Sequence, residues 1–232
     1  MIIYNGIALE SVANVKVEDI RVSSIKENPI TRPRAIRGGS SFVRMRDGER
    51  TITITFAVLE MDFNARHQQL MNISEWAKTD AEYRLELPTD PMRYLQCVCT
   101  AKPDPSTRQW WESKLRLVFT CYDNPYWTSK EEKVVSCGTQ FTVLGDAPPL
   151  MRIRRTLSEA ATNQVYYDGT HTTTFTTIPA GELHIDVNNQ TARVGSTSIM
   201  EYYKPTGHFI IAKTGTQTIT GTGSIRYRER WK

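Results

Sequence analysis

Apolar and polar residues alternate with period two along most of this chain. From Thr51 to Val58 the apolar Ile52, Ile54, Phe56 and Val58 share one side, and Thr51, Thr53 and Thr55 hold the other. That is the pattern of a half-buried β-strand. Lys114 to Cys121 repeats it, with Leu115, Leu117, Phe119 and Cys121 set against Lys114, Arg116, Val118 and Thr120. Shorter strands are expected at Val12 to Val17, Tyr83 to Leu87 and Tyr94 to Thr100. One stretch departs from the period. Leu70, Ile73 and Ala77 recur at helical spacing with Met71 and Trp76 beside them, and Asn64 is placed to cap. The spacing predicts one amphipathic helix from Ala65 to Lys78, packed on a sheet.

After Cys121 the texture changes. Asp123-Asn124-Pro125-Tyr126 reads as a turn, Lys130-Glu131-Glu132-Lys133 is charged, and a new strand pattern follows. We place a domain boundary near residues 130 to 138, giving a first domain of residues 1–135 and a second of 136–232. The second is rich in Thr and Gly without helical period. Leu183, Ile185 and Val187 alternate before the turn signal Asn188-Asn189. Strands follow at Thr191 to Val194, His208 to Ala212, Gln217 to Thr220 and Ser224 to Trp231. Short strands with frequent turns predict a β-sandwich or jelly roll. The fold class is therefore all-β with two domains and a single helix.

Composition narrows the function. The 232 residues carry 29 Lys+Arg against 25 Asp+Glu, a formal charge of only +4. No apolar run approaches the ~18 residues of a membrane helix, so no membrane insertion is expected. The N-terminus lacks the basic and small-residue features of a secretory signal, so synthesis and assembly in a cytoplasm are expected. Cys97, Cys99, Cys121 and Cys137 read as reduced, buried thiols. Neither they nor His67, His171, His184 and His208 show metal-ligand spacing, so no metal is expected. No phosphate loop, nucleophile elbow, zinc-protease helix or nucleotide fingerprint is present. Asp104, Glu112, Asp123 and Asp186 all sit in or beside turn signals and read as turn residues, not as a catalytic pair. The reading is of a protein that is not an enzyme and needs no cofactor.

Charge is distributed unevenly. Arg32, Arg34, Arg37, Arg44, Arg46 and Arg50 crowd into nineteen residues opposed only by Asp47 and Glu49, so this segment alone carries +4. With Pro33, Gly38, Gly39 and Gly48 interspersed, it reads as an extended, looped excursion. Phe42 is its only ring, so the aromatic ladder of single-strand nucleic-acid binders is missing. A belt of salt bridges between subunits is the preferred reading. Trp110 and Trp111 are neighbours near an expected hairpin, where one of the two is available as a partner contact or, as the rival reading, a sugar-stacking platform. In the closing strand Arg226, Arg228 and Arg230 line one face, and Ile225, Tyr227, Glu229 and Trp231 the other.

Taken in order, these segments resemble the distal tail proteins of long, non-contractile-tailed phages. The resemblance is carried by Tyr4-Asn5-Gly6 with Leu9-Glu10-Ser11, by Phe119-Thr120-Cys121-Tyr122-Asp123-Asn124-Pro125-Tyr126-Trp127, and by Arg226-Tyr227-Arg228-Glu229-Arg230-Trp231. The helix containing Leu70 and Trp76 and the run from Gly181 to Asn188 fit between them. One departure is Asn124, which separates Asp123 from Pro125 where the family often reads Asp-Pro. The resemblance implies a sandwich or barrel-like first domain closing into a homohexameric ring and a galectin-like second domain projecting outward. It further implies a virion hub joining the tail tube protein to the tail-tip or tail-associated lysin protein, in some phages with receptor-binding proteins attached. On this reading the arginines from Arg32 to Arg50 grip the next subunit or line the lumen, with at most weak nonspecific contact to DNA. A lectin-like adhesion module, stacking sugars on Trp110, Trp111 or Tyr202 and Tyr203, is the alternative.

Overall fold

The computed structural model describes residues 1–33, 40–78, 80–103, 114–205 and 208–232, and of residues 30–33 and 40–46 the backbone alone. The chain divides into two compact units, Met1–Trp127 with Lys232, and Thr128–Trp231. The division falls ahead of the charged stretch around residue 131, because the strand Lys133–Ser136 that follows this stretch pairs within the second unit.

In the first unit the strands are β1 (Ile3–Tyr4), β2 (Ile7–Ala8), β3 (Val15–Val22), β4 (Glu27–Pro33), β5 (Ser40–Asp47), β6 (Arg50–Val58), β7 (Tyr83–Leu87), β8 (Asp90–Ala101) and β9 (Leu115–Cys121). Two helices accompany them, the single turn α1 (Leu9–Val12) and α2 (Phe63–Trp76). The pairing is antiparallel throughout, in the order β2-β1-β7-β8-β9-β6-β3. Long β8 pairs with β7 over its first part and with β9 from Val98 onward, so one strand serves two ladders. Asn5 and Gly6, at φ +50° and +76°, make the two-residue turn between β1 and β2. Both central residues of such a hairpin turn need positive φ, which Asn-Gly supplies at least cost.

The alternation in β6 is realised as expected: Ile52, Ile54, Phe56 and Val58 are buried and the threonines are not. Around them Tyr4 is wholly buried, donates its hydroxyl to the Cys97 carbonyl at 3.0 Å, and meets Phe119, Trp76 and Tyr83 edge-on. Helix α2 buries Leu70, Ile73 and Trp76, each contributing roughly 2 kcal/mol. The Trp76 indole N–H donates to the Ile7 carbonyl at 3.0 Å, tying the helix to the first hairpin. The expected cap is corrected: Asp62 caps the helix, its carboxylate accepting from the Ala65 N–H at 2.9 Å, and Asn64 lies inside the first turn. The expected strand over Val12 to Val17 also begins later, because Leu9–Val12 closes a helical turn and β3 starts at Val15.

The second unit contains β10 (Trp127–Ser129, which begins at the division), β11 (Lys133–Ser136), β12 (Gln140–Val143), β13 (Ala147–Leu157), β14 (Ala161–Tyr167), β15 (Thr172–Ile178), β16 (Gly181–Asp186), β17 (Thr191–Val194), β18 (Thr197–Ser198), β19 (Tyr203–Lys204), β20 (Gly215–Thr218) and β21 (Ser224–Trp231). One sheet runs β18-β17-β16-β13-β21-β11. The other side is built from β14-β15-β19 and the pair β12-β20, linked by a bridge from Tyr167 to Thr220. Ile153, Leu183, Ile185 and Ile225 of the first face Tyr166, Phe175 and Ile178 of the second in one core. Two sheets around a shared apolar layer make a β-sandwich. Glu229 lies on the inward side of β21, 5% exposed, where Lys133 Nζ at 3.0 Å and the Leu144 N–H at 2.8 Å satisfy it.

The expected strand from His208 to Ala212 is not one. Side chains take the place of a ladder: the Ile210 N–H donates to Thr173 Oγ1 at 2.9 Å, the Ile211 N–H to Asp168 Oδ2 at 2.8 Å, and the Lys213 N–H to Gln217 Oε1 at 3.4 Å. Phe209, Ile210 and Ala212 are buried all the same, which is what the apolar pattern had registered.

Candidate interaction surfaces

On either side of residues 34–39, which lie outside the described residues, the arginine-rich segment is paired backbone. Strands β4 and β5 form a separate two-stranded arm that opposes Arg32 to Ser41, Arg44 to Ile30 and Arg46 to Asn28. Val43 is the extra residue of a bulge between the Ile30 and Thr31 pairs. The arm continues the β3-β6 ladder, because the Ser23 N–H donates to the Thr51 carbonyl, the Lys26 N–H to Glu49 and the Gly48 N–H to Lys26. A Cβ at Gly48 would stand 2.5 Å from the end of the Asn28 side chain and 3.1 Å from the Lys26 carbonyl oxygen, so a larger residue there must displace Asn28. At the same end Asp47 accepts from the Tyr126 hydroxyl at 2.6 Å and from Lys232 Nζ at 3.1 Å. The Tyr126 hydrogen bond holds the Asp47 carboxyl below its ordinary value against the opposing effect of burial.

Of the six arginines, Arg32, Arg44 and Arg46 occupy strand positions in the arm, and Arg34 and Arg37 lie outside the described residues. Arg50 is a correction. It opens β6 opposite Cys121 and is 4% exposed, because it occupies the inward side of the alternation that buries Ile52 and Ile54. Its side chain is enclosed in the first unit and presents no surface to a neighbour. Trp110 and Trp111 lie outside the described residues, as do Asp104 and Glu112. Tyr203 is packed against Phe175 and Phe209. Asp186 is a turn residue, accepting from the N–H groups of Asn188 and Asn189 at 3.1 Å each.

Two features escaped the sequence reading. Glu82 accepts from the N–H groups of Tyr122 and Asp123 at 2.7 and 3.1 Å, fixing the turn that precedes Tyr126; no local pattern links residues forty apart. The second is a basic recess on the outer face of β13, β16 and β17, lined by Arg152, Arg154, His184 and Arg193. The alternation Arg152-Ile153-Arg154 was its legible signal. Among the described residues no three His, Cys, Asp or Glu side chains group as metal ligands would. No described helix is long and apolar enough to cross a membrane.

The chain matches no protein-family model and no curated protein. Among solved structures it is similar to the crystal structure of the phage SPP1 Dit (gp 19.1) protein, described as a paradigm of the hub adsorption apparatus in Gram-positive infecting phages. The likeness has a TM-score of 0.76 at 16% identity and covers 100% of this chain and 98% of that one. The phage p2 baseplate in its activated conformation with Sr is more distantly similar, with a TM-score of 0.47 at 9% identity over 94% of this chain and 91% of that one. The first likeness establishes the fold: this chain is folded as SPP1 Dit is, from end to end.

Proposed function

We propose that this chain, sharing the Dit fold along its whole length, is a structural subunit of a phage tail hub. It closes into a homohexameric ring at the distal end of a long non-contractile tail, between the tail tube protein and the tail-tip or tail-associated lysin protein. Receptor-binding proteins attach to such a hub in some phages. The subunit is made in the host cytoplasm and functions in the virion. The observation that carries this reading is the full-length match to a hub protein's fold, to which the ordered sequence motifs add independent support. Its role is architectural and involves no catalysis.

A closed ring needs head-to-tail contact, in which one edge of a subunit fits a different edge of the next. The β4-β5 arm supports that role: it is a two-stranded projection with three arginines at strand positions and a fixed base. The arm grips the next subunit or lines the lumen, where a modest positive charge gives at most weak, salt-dependent contact with passing DNA.

Mass measurement of the purified chain across a concentration series, followed by negative-stain imaging, tests the hub reading. A six-fold ring with an open centre is expected. A strict monomer at every concentration, also in the presence of tail tube protein, overturns it and makes a glycan array the next measurement. Substituting Arg32, Arg44 and Arg46 by Glu is expected to abolish the ring, and an unchanged ring would remove the arm from the interface.

A further inference from the structure

The outer face of the second unit's larger sheet carries a charge arrangement that folding stability does not explain. The register sets Arg154 opposite His184, His184 opposite Arg193, and Arg193 opposite Ser198, so three basic residues stand in a row across β13, β16 and β17. In the adjacent row Arg152 lies between Arg226 and Asp186. Neighbouring strands are about 4.8 Å apart, so the cations Arg152 and Arg226 stand directly opposite one another, and Arg154 and Arg193 flank the His184 imidazole one strand away on either side.

The nearby acids neutralise this face only in part: Glu132 pairs with Arg226 at 3.5 Å, and no acid pairs with Arg193 among the described residues. Asp186 is already held by its own turn, accepting from the Asn188 and Asn189 N–H groups and from Asn189 Nδ2 at 3.1 Å each, and Arg152 Nε stands off at 3.9 Å. Glu182 is shared between His184 Nε2 at 3.2 Å and Arg154 Nη1 at 3.8 Å. Arg154 Nε is enclosed without a hydrogen-bond partner among the described residues. Arg152, Arg154, His184, Asp186 and Arg193 border a recess of about 390 Å³ that Ser196 and Ser198 help to line. That volume lies within the range of small-molecule sites. Guanidinium forks match oxyanions in bidentate fashion, and a phosphate offers more acceptor oxygens than a carboxylate to several converging donors.

We propose that this recess binds a phosphate-bearing ligand of small-molecule size, its phosphate lying across the row of Arg154, His184 and Arg193, with Ser196 and Ser198 adding hydroxyl donors. The bound anion supplies acceptors to Arg193 and to Arg154, whose Nε has no hydrogen-bond partner among the described residues. The proposal stands on the second unit alone and does not require a ring.

Thermal unfolding of the full chain tests it, with inorganic phosphate, the monoester glycerol 3-phosphate and the diester glycerophosphocholine compared against sodium chloride at matched ionic strength. Inorganic phosphate and at least one ester are expected to raise Tm saturably, as a ligand specific to the folded state must, and chloride is not. The tighter ester tells a terminal from a bridging phosphate. Arg154→Gln with Arg193→Gln is expected to weaken phosphate binding roughly 100-fold, about tenfold per lost charged donor. In phosphate-free buffer the same variant should unfold within a few degrees of the parent, because Arg193 is exposed and the Arg154–Glu182 pair is a partly exposed one at 3.8 Å. Should it misfold, Arg193→Gln alone serves, with about tenfold weaker binding expected. The proposal fails if phosphate gives no saturable shift, or if the shift persists undiminished in these variants. It fails equally if an oligo-aspartate peptide binds where phosphate does not, which would assign the face to an acidic protein partner.

Discussion

Asp168 accepts hydrogen bonds from the N–H groups of Thr170, His171 and Ile211 at 2.8 Å each and from His171 Nδ1 at 3.0 Å, with Lys213 Nζ at 3.4 Å. Burial pushes its carboxyl upward, but the N–H donors of His171, Ile211 and Thr170 outweigh it, leaving a pKa of about 2 against an ordinary 3.8. A carboxylate depressed by folding stabilises above its unfolded pKa, and that contribution is lost as pH falls through the folded one. The second unit should therefore lose on the order of 2 kcal/mol between about pH 4 and pH 2, less in Asp168→Asn, as followed by urea unfolding at each pH. Asp168→Ala, which removes the shared acceptor of three backbone N–H groups, is expected to cost about 1–3 kcal/mol at neutral pH. In the first unit Tyr4 has the corresponding position: Tyr4→Ala should cost about 3–5 kcal/mol and Tyr4→Phe about 1 kcal/mol, since the latter removes only the hydroxyl bonded to Cys97. Burial raises the Cys97 thiol far above its ordinary value and pushes Cys99 and Cys137 up to about 11. Alkylation of these thiols at pH 8 should be slow in the native chain and fast in urea.

Among the elements, α2 and the arm depend on single carboxylates at their ends. Asp62→Ala should lower stability by about 1 kcal/mol through loss of the cap, and Asn64→Ala should not. For the arm, Asp47 ties the end of β5 to Tyr126 and Lys232. Tyr126→Phe is expected to speed tryptic cleavage within residues 27–47 several-fold while leaving global stability within about 1 kcal/mol, and unchanged cleavage would show that the ladder alone fixes the arm. Periodicity found β6, β7, β17 and β21 because each buries alternate residues against a single core. It misread residues 208–212 because burial there is independent of strand pairing, the backbone being held by Thr173, Asp168 and Gln217.

For the whole molecule, each unit has a core of its own, one centred on Tyr4 and Phe119 and the other on Tyr166 and Phe175. If the proposed ring forms through the arm, the triple substitution of Arg32, Arg44 and Arg46 should lose it and keep a Tm within a few degrees of the parent, whereas Arg50→Ala should lower Tm, since that side chain is enclosed. A ring that survives the triple change but not the single one would place the arginine contribution in folding rather than assembly.

By itself the sequence determined the all-β class, the single long helix, the change of texture after Cys121 and the ordered motifs that resemble those of tail proteins. These are local properties: side-chain alternation, helical spacing and turn residues act over a few positions and survive in any context. The tertiary structure decided which of the six arginines is enclosed, because β6 carries Arg50 inward as the first residue of an otherwise apolar row. It also decided that a run of arginines forms a paired arm, and that Arg154, His184 and Arg193, up to thirty-nine residues apart in sequence, stand in one row. Strand register between distant segments sets these relations, and register is fixed within each unit by the packing of that unit's own core, which no single window of the chain contains.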